Sequence, residues 1–147
     1  MADWLRSIDF VLNHEGGYVP PKTADPGGET NFGISKRWHP NLDIRGLTID
    51  DAIAIYNREY WAPCHCESMG DDMALCVFDS AVNCGNNKAL KWKADSKDDT
   101  AEYLNIRERY YKKLCKSKDL FDIFLKGWFK RVDDLREDIA LHQRGVA

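Results

Sequence analysis

Three residues near the N-terminus, Glu15, Asp25 and Thr30, carry the groups that hydrolysis of a glycosidic bond requires. One carboxyl group must donate a proton to the leaving sugar oxygen, while the second stays ionised as a base or a nucleophile. The Thr30 hydroxyl can donate and accept, so it could hold an attacking water in line. An alternative stays open from spacing alone, because "DPGG" at 25–28 is also an ordinary turn in which Asp binds nearby backbone.

Glu15 lies where the first helix of the chain is expected to end. Apolar residues precede it with the spacing of an amphipathic helix over residues 3–14: Trp4, Ile8, Val11 and Leu12. The C-terminus of a helix disfavours negative charge, so helix stability does not explain a glutamate there. The same dipole disfavours the ionised carboxylate, which suits a proton donor. We predict that this helix directs the Glu15 carboxyl group into a cleft, and that Gly16 and Gly17 let the chain turn away.

Glycine and proline crowd the segment from residue 15 to about 47, which predicts a loop region with a short ribbon around Thr30–Ile34. Ten extended residues would separate Glu15 from Asp25 by roughly 33 Å. The glycines and prolines favour a chain that folds back instead, which could bring Glu15, Asp25 and Thr30 around one cleft.

The remainder of the chain reads as helical, so we expect a mainly α fold in one domain, 1–147. Thr48 is the predicted N-cap of a helix that reaches Pro63, and Gly85 is the predicted stop of a helix from about Asp72 to Asn83. Residues 86–99 are polar and match no clear pattern. Further helices are predicted over about 100–116, 119–126 and 128–142.

Composition narrows the partners and cofactors. A net charge of −3 argues against a nucleic-acid partner, and no apolar run is long enough to span a membrane. We expect five free thiols (Cys64, Cys66, Cys76, Cys84 and Cys115), because their number is odd and no hydrophobic signal segment is visible. A zinc site around "CHC" at 64–66 is the weaker alternative. We therefore expect no metal and no cofactor. We also expect a monomer.

Five segments resemble, in order and near spacing, the bacterial and phage N-acetylmuramidases of glycoside hydrolase family 108: "EGGY" at 15–18, "DPGGETNFGIS" at 25–35, "IYNREYW" at 55–61, "FDSAVNCG" at 78–85 and "GWFKRV" at 127–132. The resemblance implies a two-lobed, lysozyme-like fold and hydrolysis of the β-1,4 bond between N-acetylmuramic acid and N-acetylglucosamine in peptidoglycan. It places the catalytic glutamate at Glu15. Asp25 and Thr30 resemble the remainder of the triad of phage T4-type lysozymes, with each interval differing by one residue.

The resemblance also implies where the protein is made and acts, and it does not extend to one stretch of the chain. A peptidoglycan hydrolase without a signal segment resembles a phage endolysin, which is made in the host cytoplasm and reaches the cell wall after lysis begins. Residues 88–100, "KALKWKADSKDDT", lack the stretch that often follows in the family. Contacts to substrate are therefore implied for the catalytic part, about 1–87, and not for the C-terminal helical part, about 88–147.

Three further residues are candidates for substrate binding, each with a structural alternative. Tyr18 could stack on a sugar, hydrogen-bond the catalytic carboxyl group, or pack the lobe on the helical body. Asp79 and Asn83 lie four apart on one helical face, where they could bind an acetamido group or join helices through buried hydrogen bonds. Trp128 and Arg131 read as structural, with Arg131 expected to bind helix-end carbonyls.

Two rival functions remain at this point. A lytic transglycosylase would use Glu15 alone, although Asp25 and Thr30 argue against it because that reaction needs no positioned water. A catalytically silent module that binds the cell wall or serves as a structural part is the other rival. For hydrolysis with water activated by Asp25, we predict inversion and a separation of roughly 6.5–9.5 Å between the carboxyl groups of Glu15 and Asp25.

Overall fold

A computed structural model of the protein describes residues 2–21, 28–117 and 122–145. Its elements, in chain order, are α1 (Trp4–Glu15), β1 (Thr30–Asn31), β2 (Ile34–Ser35), α2 (Ile49–Tyr56), a π-helix (Asn57–Trp61), a 3₁₀ turn (Cys66–Ser68), α3 (Asp71–Cys84), α4 (Asn86–Asp95), α5 (Thr100–Ser117) and α6 (Asp122–Gln143). The predicted mainly α fold is confirmed. Within these described ranges, no helix is both long and apolar enough to cross a membrane.

Helix α3 is the centre of the molecule. Nine consecutive residues, Met73 to Ala81, are buried, so this helix is covered all round. It packs against α1, α4 and α5, and also against the π-helix and the 3₁₀ turn. The Gly85 stop is confirmed, since Gly85 has φ 97° directly after Cys84.

The caps of α1 and α2 follow local rules. The Asp3 side chain accepts from the Arg6 backbone N–H at 3.0 Å, which satisfies one free donor of the first turn of α1. Thr48 and Asp51 form a capping box at the start of α2, as Thr48 led us to expect. These two helices are therefore well determined by nearby sequence.

A two-stranded antiparallel ribbon lies between α1 and α2, and confirms the predicted ribbon. Thr30 pairs with Ser35 and Asn31 with Ile34. The two turn residues, Phe32 and Gly33, both have positive φ (52° and 79°), which is the pattern of a type I′ hairpin turn. The ribbon brings the chain back beside the end of α1.

The C-terminal part contains one helix that the sequence does not predict, and one expectation for this part is wrong. Residues 86–99, which match no clear pattern, contain α4, whose buried face consists of Ala89 and Trp92 among polar neighbours. The separate helices expected over 119–126 and 128–142 are one helix, α6, which continues through Gly127. Glycine in a helix costs about 1 kcal/mol relative to alanine, and the packing of α6 on α5 offsets that cost.

Candidate active site

Glu15 is the last residue of α1 and lines an open cavity of about 280 Å³. Gly16 follows with φ 73°, so the chain leaves the helix axis directly after the carboxylate. The cavity lies between the end of α1, the ribbon, α2, the π-helix and α3, and is lined by Glu15, Gly33, Ile34, Ser35, Trp38, His39, Ile55, Tyr56, Glu59, Tyr60 and Val82. The prediction that α1 ends with Glu15 facing a cleft is confirmed.

Arg131 of α6 binds the Glu15 carboxylate. Its Nη1 donates to Glu15 Oε1 at 2.8 Å, across 116 residues of chain. The other side of the same guanidinium faces Asp79, to which Nη2 donates at 2.7 Å and Nε at 3.0 Å. Arg131 therefore connects Glu15 to the central helix α3, and the direction of the Glu15 carboxyl group depends on both helices.

A second arginine completes this buried network. Arg107 of α5 donates from Nη1 to Asp79 Oδ2 at 2.7 Å and to the Ser80 hydroxyl at 3.0 Å. The side chains of Asp79 and Arg107 are fully buried, and that of Arg131 is 9% exposed. Each of the two arginines contacts the buried Asp79 carboxylate, and pairing of this kind is the condition under which charges are tolerated in a protein interior.

The pKa values of the buried members follow from this pairing. Burial alone would raise the pKa of Asp79, but the charges and hydrogen bonds of Arg131 and Arg107 outweigh it and hold the pKa below its usual value. Burial would likewise lower the pKa of Arg131, but Asp79 first and Glu15 second outweigh it and raise the pKa. Both groups are therefore ionised at neutral pH.

Gly33 permits the ribbon to approach Glu15 closely. A Cβ atom at position 33 would lie 2.5 Å from Glu15 Oε2 and 2.7 Å from the Tyr56 hydroxyl. Tyr56 in turn donates to the Phe32 carbonyl at 2.5 Å, which holds the hairpin turn against α2. Burial, with the charge of Glu15 next, raises the pKa of Tyr56 well above its usual value, so its hydroxyl stays protonated.

Another part of the cavity surface carries a second carboxylate, Glu59 of the π-helix. His39 Nε2 lies 2.8 Å from each Glu59 oxygen, and His39 Nδ1 lies 3.2 Å from the Ser35 carbonyl. Trp38 lies beside this pair with 74% of its surface exposed. Trp38, His39 and Glu59 were not among the predicted site residues, although the sequence places an aromatic residue and a histidine at positions 38 and 39, shortly after the ribbon.

Of the three predicted catalytic residues, Glu15 and Thr30 lie within the described part of the chain. Thr30 is in β1, where it pairs with Ser35 and, through its backbone, with Val19. Ser35 lines the Glu15 cavity and Thr30 does not. Asp25 lies outside the described residues, so its separation from Glu15 stays a prediction.

Tyr18 has a partner within the lobe. Its hydroxyl donates to Glu29 Oε2 at 2.6 Å, and the Arg45 guanidinium lies 5.7 Å from its ring centroid. The Tyr18 hydroxyl therefore binds Glu29 and not Glu15, which was one of its possible partners. This hydrogen bond connects two positions of the loop after α1 that are 11 residues apart in the sequence.

Asp79 and Asn83 both hydrogen-bond to other helices, Asp79 in the interior and Asn83 in a partly buried position. Asp79 has no exposed surface and both of its oxygens are occupied by arginines, so the structural alternative holds for it. Asn83 Oδ1 accepts from the Tyr111 hydroxyl. Arg131 was expected at helix-end carbonyls, which is wrong, since it binds two carboxylates. The sequence feature that points to this contact is Glu15, because a carboxylate at a helix C-terminus is unfavourable unless a cation from elsewhere in the fold lies beside it.

The cysteines are all free thiols in the structure. Cys64 and Cys66 are buried next to each other: a hydrogen bond from Cys66 lowers the pKa of Cys64 and raises that of Cys66. Across the ranges that the structure describes, no group of three or more His, Cys, Asp or Glu side chains is arranged to hold a metal ion.

The chain is similar to a known protein family and to solved structures. Residues 8–85, more than half of the chain, match the family model described as glycosyl hydrolase 108. The structure is similar to that of SagA from Brucella abortus, with a TM-score of 0.73 and 24% sequence identity over 92% of each chain. This likeness confirms the expected lysozyme-like, mainly α fold. No curated protein sequence matches the chain.

Proposed function

We propose that this chain, which belongs to the glycosyl hydrolase 108 family, is an N-acetylmuramidase that cleaves the β-1,4 bond between N-acetylmuramic acid and N-acetylglucosamine in peptidoglycan. Membership of the family, expected from the five segments, is confirmed by the match over residues 8–85. The observation that carries the finer proposal is the placement of Glu15, which lies inside the matched region and presents its carboxyl group to a cleft.

Glu15 is the general acid in this proposal. Its carboxyl group donates a proton to the leaving sugar oxygen, a step that requires a fixed direction and a short distance to the glycosidic oxygen. Arg131 holds Oε1 from one side, and the absence of a side chain at Gly33 leaves room for Oε2 on the other. Arg131 also carries the positive charge that stabilises the carboxylate after the proton has left, while Asp79 and Arg107 keep Arg131 in place.

Asp25 and Thr30 activate and position the attacking water in this proposal. Asp25 acts as the base and Thr30 orients the nucleophilic water, as the resemblance to T4-type lysozymes implies. Support for Thr30 comes from its position in the ribbon, opposite Ser35, which lines the cavity. Each role is tested by its own variant, Asp25→Asn and Thr30→Ala.

Purified peptidoglycan is the substrate that tests the proposal. We expect the protein to release soluble muropeptides with a new reducing end at N-acetylmuramic acid, which borohydride reduction and mass spectrometry detect. Products that lack one water, with the anhydro ring, would assign the chain to the lytic transglycosylases instead. No turnover by folded protein would favour the silent module.

The setting of an endolysin is part of the proposal and is tested separately. When the chain is expressed in a bacterial cytoplasm, we expect the culture to stay turbid until the membrane is permeabilised, for example by chloroform, and then to clear. Clearing that begins without permeabilisation would contradict this setting and leave the enzymatic proposal intact.

A further inference from the structure

We propose that Trp38 and Glu59 form a sugar-binding subsite of the Glu15 cleft. Trp38 stacks on the apolar face of a pyranose ring, and Glu59 accepts hydrogen bonds from its hydroxyl or acetamido N–H groups. This inference rests on the proposed function, because it requires a glycan in the cleft. It concerns binding and not the chemical step.

Trp38 is the one exposed tryptophan among the described residues. It is 74% exposed, whereas Trp61 and Trp92 are buried to 2% and 5% exposure. A large apolar side chain left open at the edge of a cleft is more informative than one scattered on the surface, because clefts bind ligands. The Arg37 guanidinium lies 5.2 Å from the indole centroid and can cover only one face of the ring.

The turn that carries Trp38 is fixed at both ends. The Trp38 backbone N–H donates to the Ser35 hydroxyl at 3.4 Å, and the His39 backbone N–H donates to the Ser35 carbonyl at 3.1 Å. The His39 ring then joins the turn to Glu59 on the π-helix. An exposed indole on an anchored backbone loses little conformational entropy when a ligand stacks on it, which favours binding.

The pair of His39 and Glu59 can offer hydrogen-bond acceptors to a sugar. The His39 ring lies between the Ser35 carbonyl and the Glu59 carboxyl group, so it fixes the position of Glu59 at the edge of the cleft. The Glu59 side chain is 30% exposed and keeps further lone pairs for hydrogen bonds. A carboxyl group that is held in place and partly open to a cleft is a good acceptor for sugar hydroxyl and amide N–H groups.

Binding is tested first in the Glu15→Gln background, in which peptidoglycan is not consumed. Co-sedimentation with purified peptidoglycan gives an apparent affinity for this variant and for the same variant with Trp38→Ala, Trp38→Phe or Leu5→Ala added. We expect Trp38→Ala to weaken binding about tenfold, equivalent to about 1.4 kcal/mol. Trp38→Phe should restore most of it. Leu5→Ala is the matched control, since Leu5 is 71% exposed and does not line the cleft.

Kinetics with intact Glu15 separate binding from chemistry. Trp38→Ala and Glu59→Gln should raise KM several-fold and leave kcat within about threefold, the behaviour of lost ground-state binding. Trp38→Ala that binds and turns over as the wild type does would overturn the subsite, while the hydrolase proposal stands. A fall in kcat of about 10²-fold for Glu59→Gln at unchanged KM would also overturn it, because Glu59 would then act in the chemical step. Wild-type protein that neither binds nor cleaves peptidoglycan would refute the proposed function and this inference together.

Discussion

Asp79→Asn removes the charge at the centre of the buried network while it keeps the size of the side chain. In the wild type, Asp79 accepts hydrogen bonds from Arg107 and from Arg131, and neither Asp79 nor Arg107 has exposed surface. An asparagine has a single acceptor oxygen, and its NH₂ group would face guanidinium donors. Arg107 would then be a buried cation without a carboxylate.

The expected cost is about 3–5 kcal/mol, the range for a buried ion pair that loses one partner. This is a large part of the roughly 5–15 kcal/mol by which a domain is stable, so the variant should fold but unfold at much lower denaturant. Arg131 would also lose its anchor, since Asp79 binds two of its nitrogens. We therefore expect activity on peptidoglycan to fall as well, because the group that holds Glu15 is released.

Urea unfolding at pH 7 measures the change, with Asp133→Asn as the matched control. Asp133 also accepts from an arginine, Arg136 at 3.0 Å, but its side chain is 67% exposed, so its loss should cost at most about 1 kcal/mol. A free energy of unfolding for Asp79→Asn within about 1 kcal/mol of the wild type would refute the account of the network.

The pH dependence of this difference has a definite sign. The arginines hold the pKa of Asp79 below its usual value, so its contribution to stability is complete above the unfolded-state pKa of about 3.9. The contribution is lost as the pH falls through the lower pKa of the folded state. The gap in unfolding free energy between wild type and Asp79→Asn should thus be constant from pH 7 to about pH 5 and narrow below about pH 4. A gap that widens in acid would contradict this assignment.

Three further predictions follow from other features of the site. Gly33→Ala should lower activity on peptidoglycan by at least about tenfold, because the new Cβ would lie 2.5 Å from Glu15 Oε2. Gly28→Ala is the control, since Gly28 also has positive φ (71°) but the nearest atom to its Cβ would be 3.6 Å away. It should lower stability by the backbone strain alone, about 1–2 kcal/mol. Equal activity of the two variants would argue against a steric role for Gly33. Addition of reductant or chelator should shift the melting temperature by less than about 2 °C, which corresponds to a change in unfolding free energy of less than about 1 kcal/mol. A larger fall with reductant would indicate a disulfide, and a larger fall with chelator would indicate a bound metal. Early product followed by NMR should have the α configuration if Asp25 activates water, and a β product would mean retention.

Local features of the sequence were sufficient for the parts of the fold that local rules control. The spacing of Trp4, Ile8 and Val11 predicts α1, Thr48 predicts the start of α2, and the glycine after Phe32 suits the hairpin turn. Helix α4 escaped prediction because only Ala89 and Trp92 face the core, which is too few apolar positions for a clear period. Gly127 suggested a break that tertiary packing of α6 overrides.

The position of Glu15 at the cleft could be predicted from the sequence, whereas the residues that hold its side chain could not. Glu15 was identified because a glutamate at a helix C-terminus needs a reason beyond stability, and the family motif names the same residue. Arg131 lies 116 positions away, and no local pattern reports a contact over that distance. Glu59 and His39 meet only because the ribbon folds back on the π-helix, so their pairing is a property of the tertiary structure.

The most direct test of the central claim is the rate at which Glu15→Gln releases reducing ends from purified peptidoglycan. The amide keeps the size of the side chain and its oxygen can still accept from Arg131, so we expect the variant to fold and to bind peptidoglycan. Without a proton to donate, its rate should fall by at least about 10²-fold, the low end for a general acid. A folded variant that cleaves peptidoglycan at nearly the wild-type rate would show that Glu15 is not the acid.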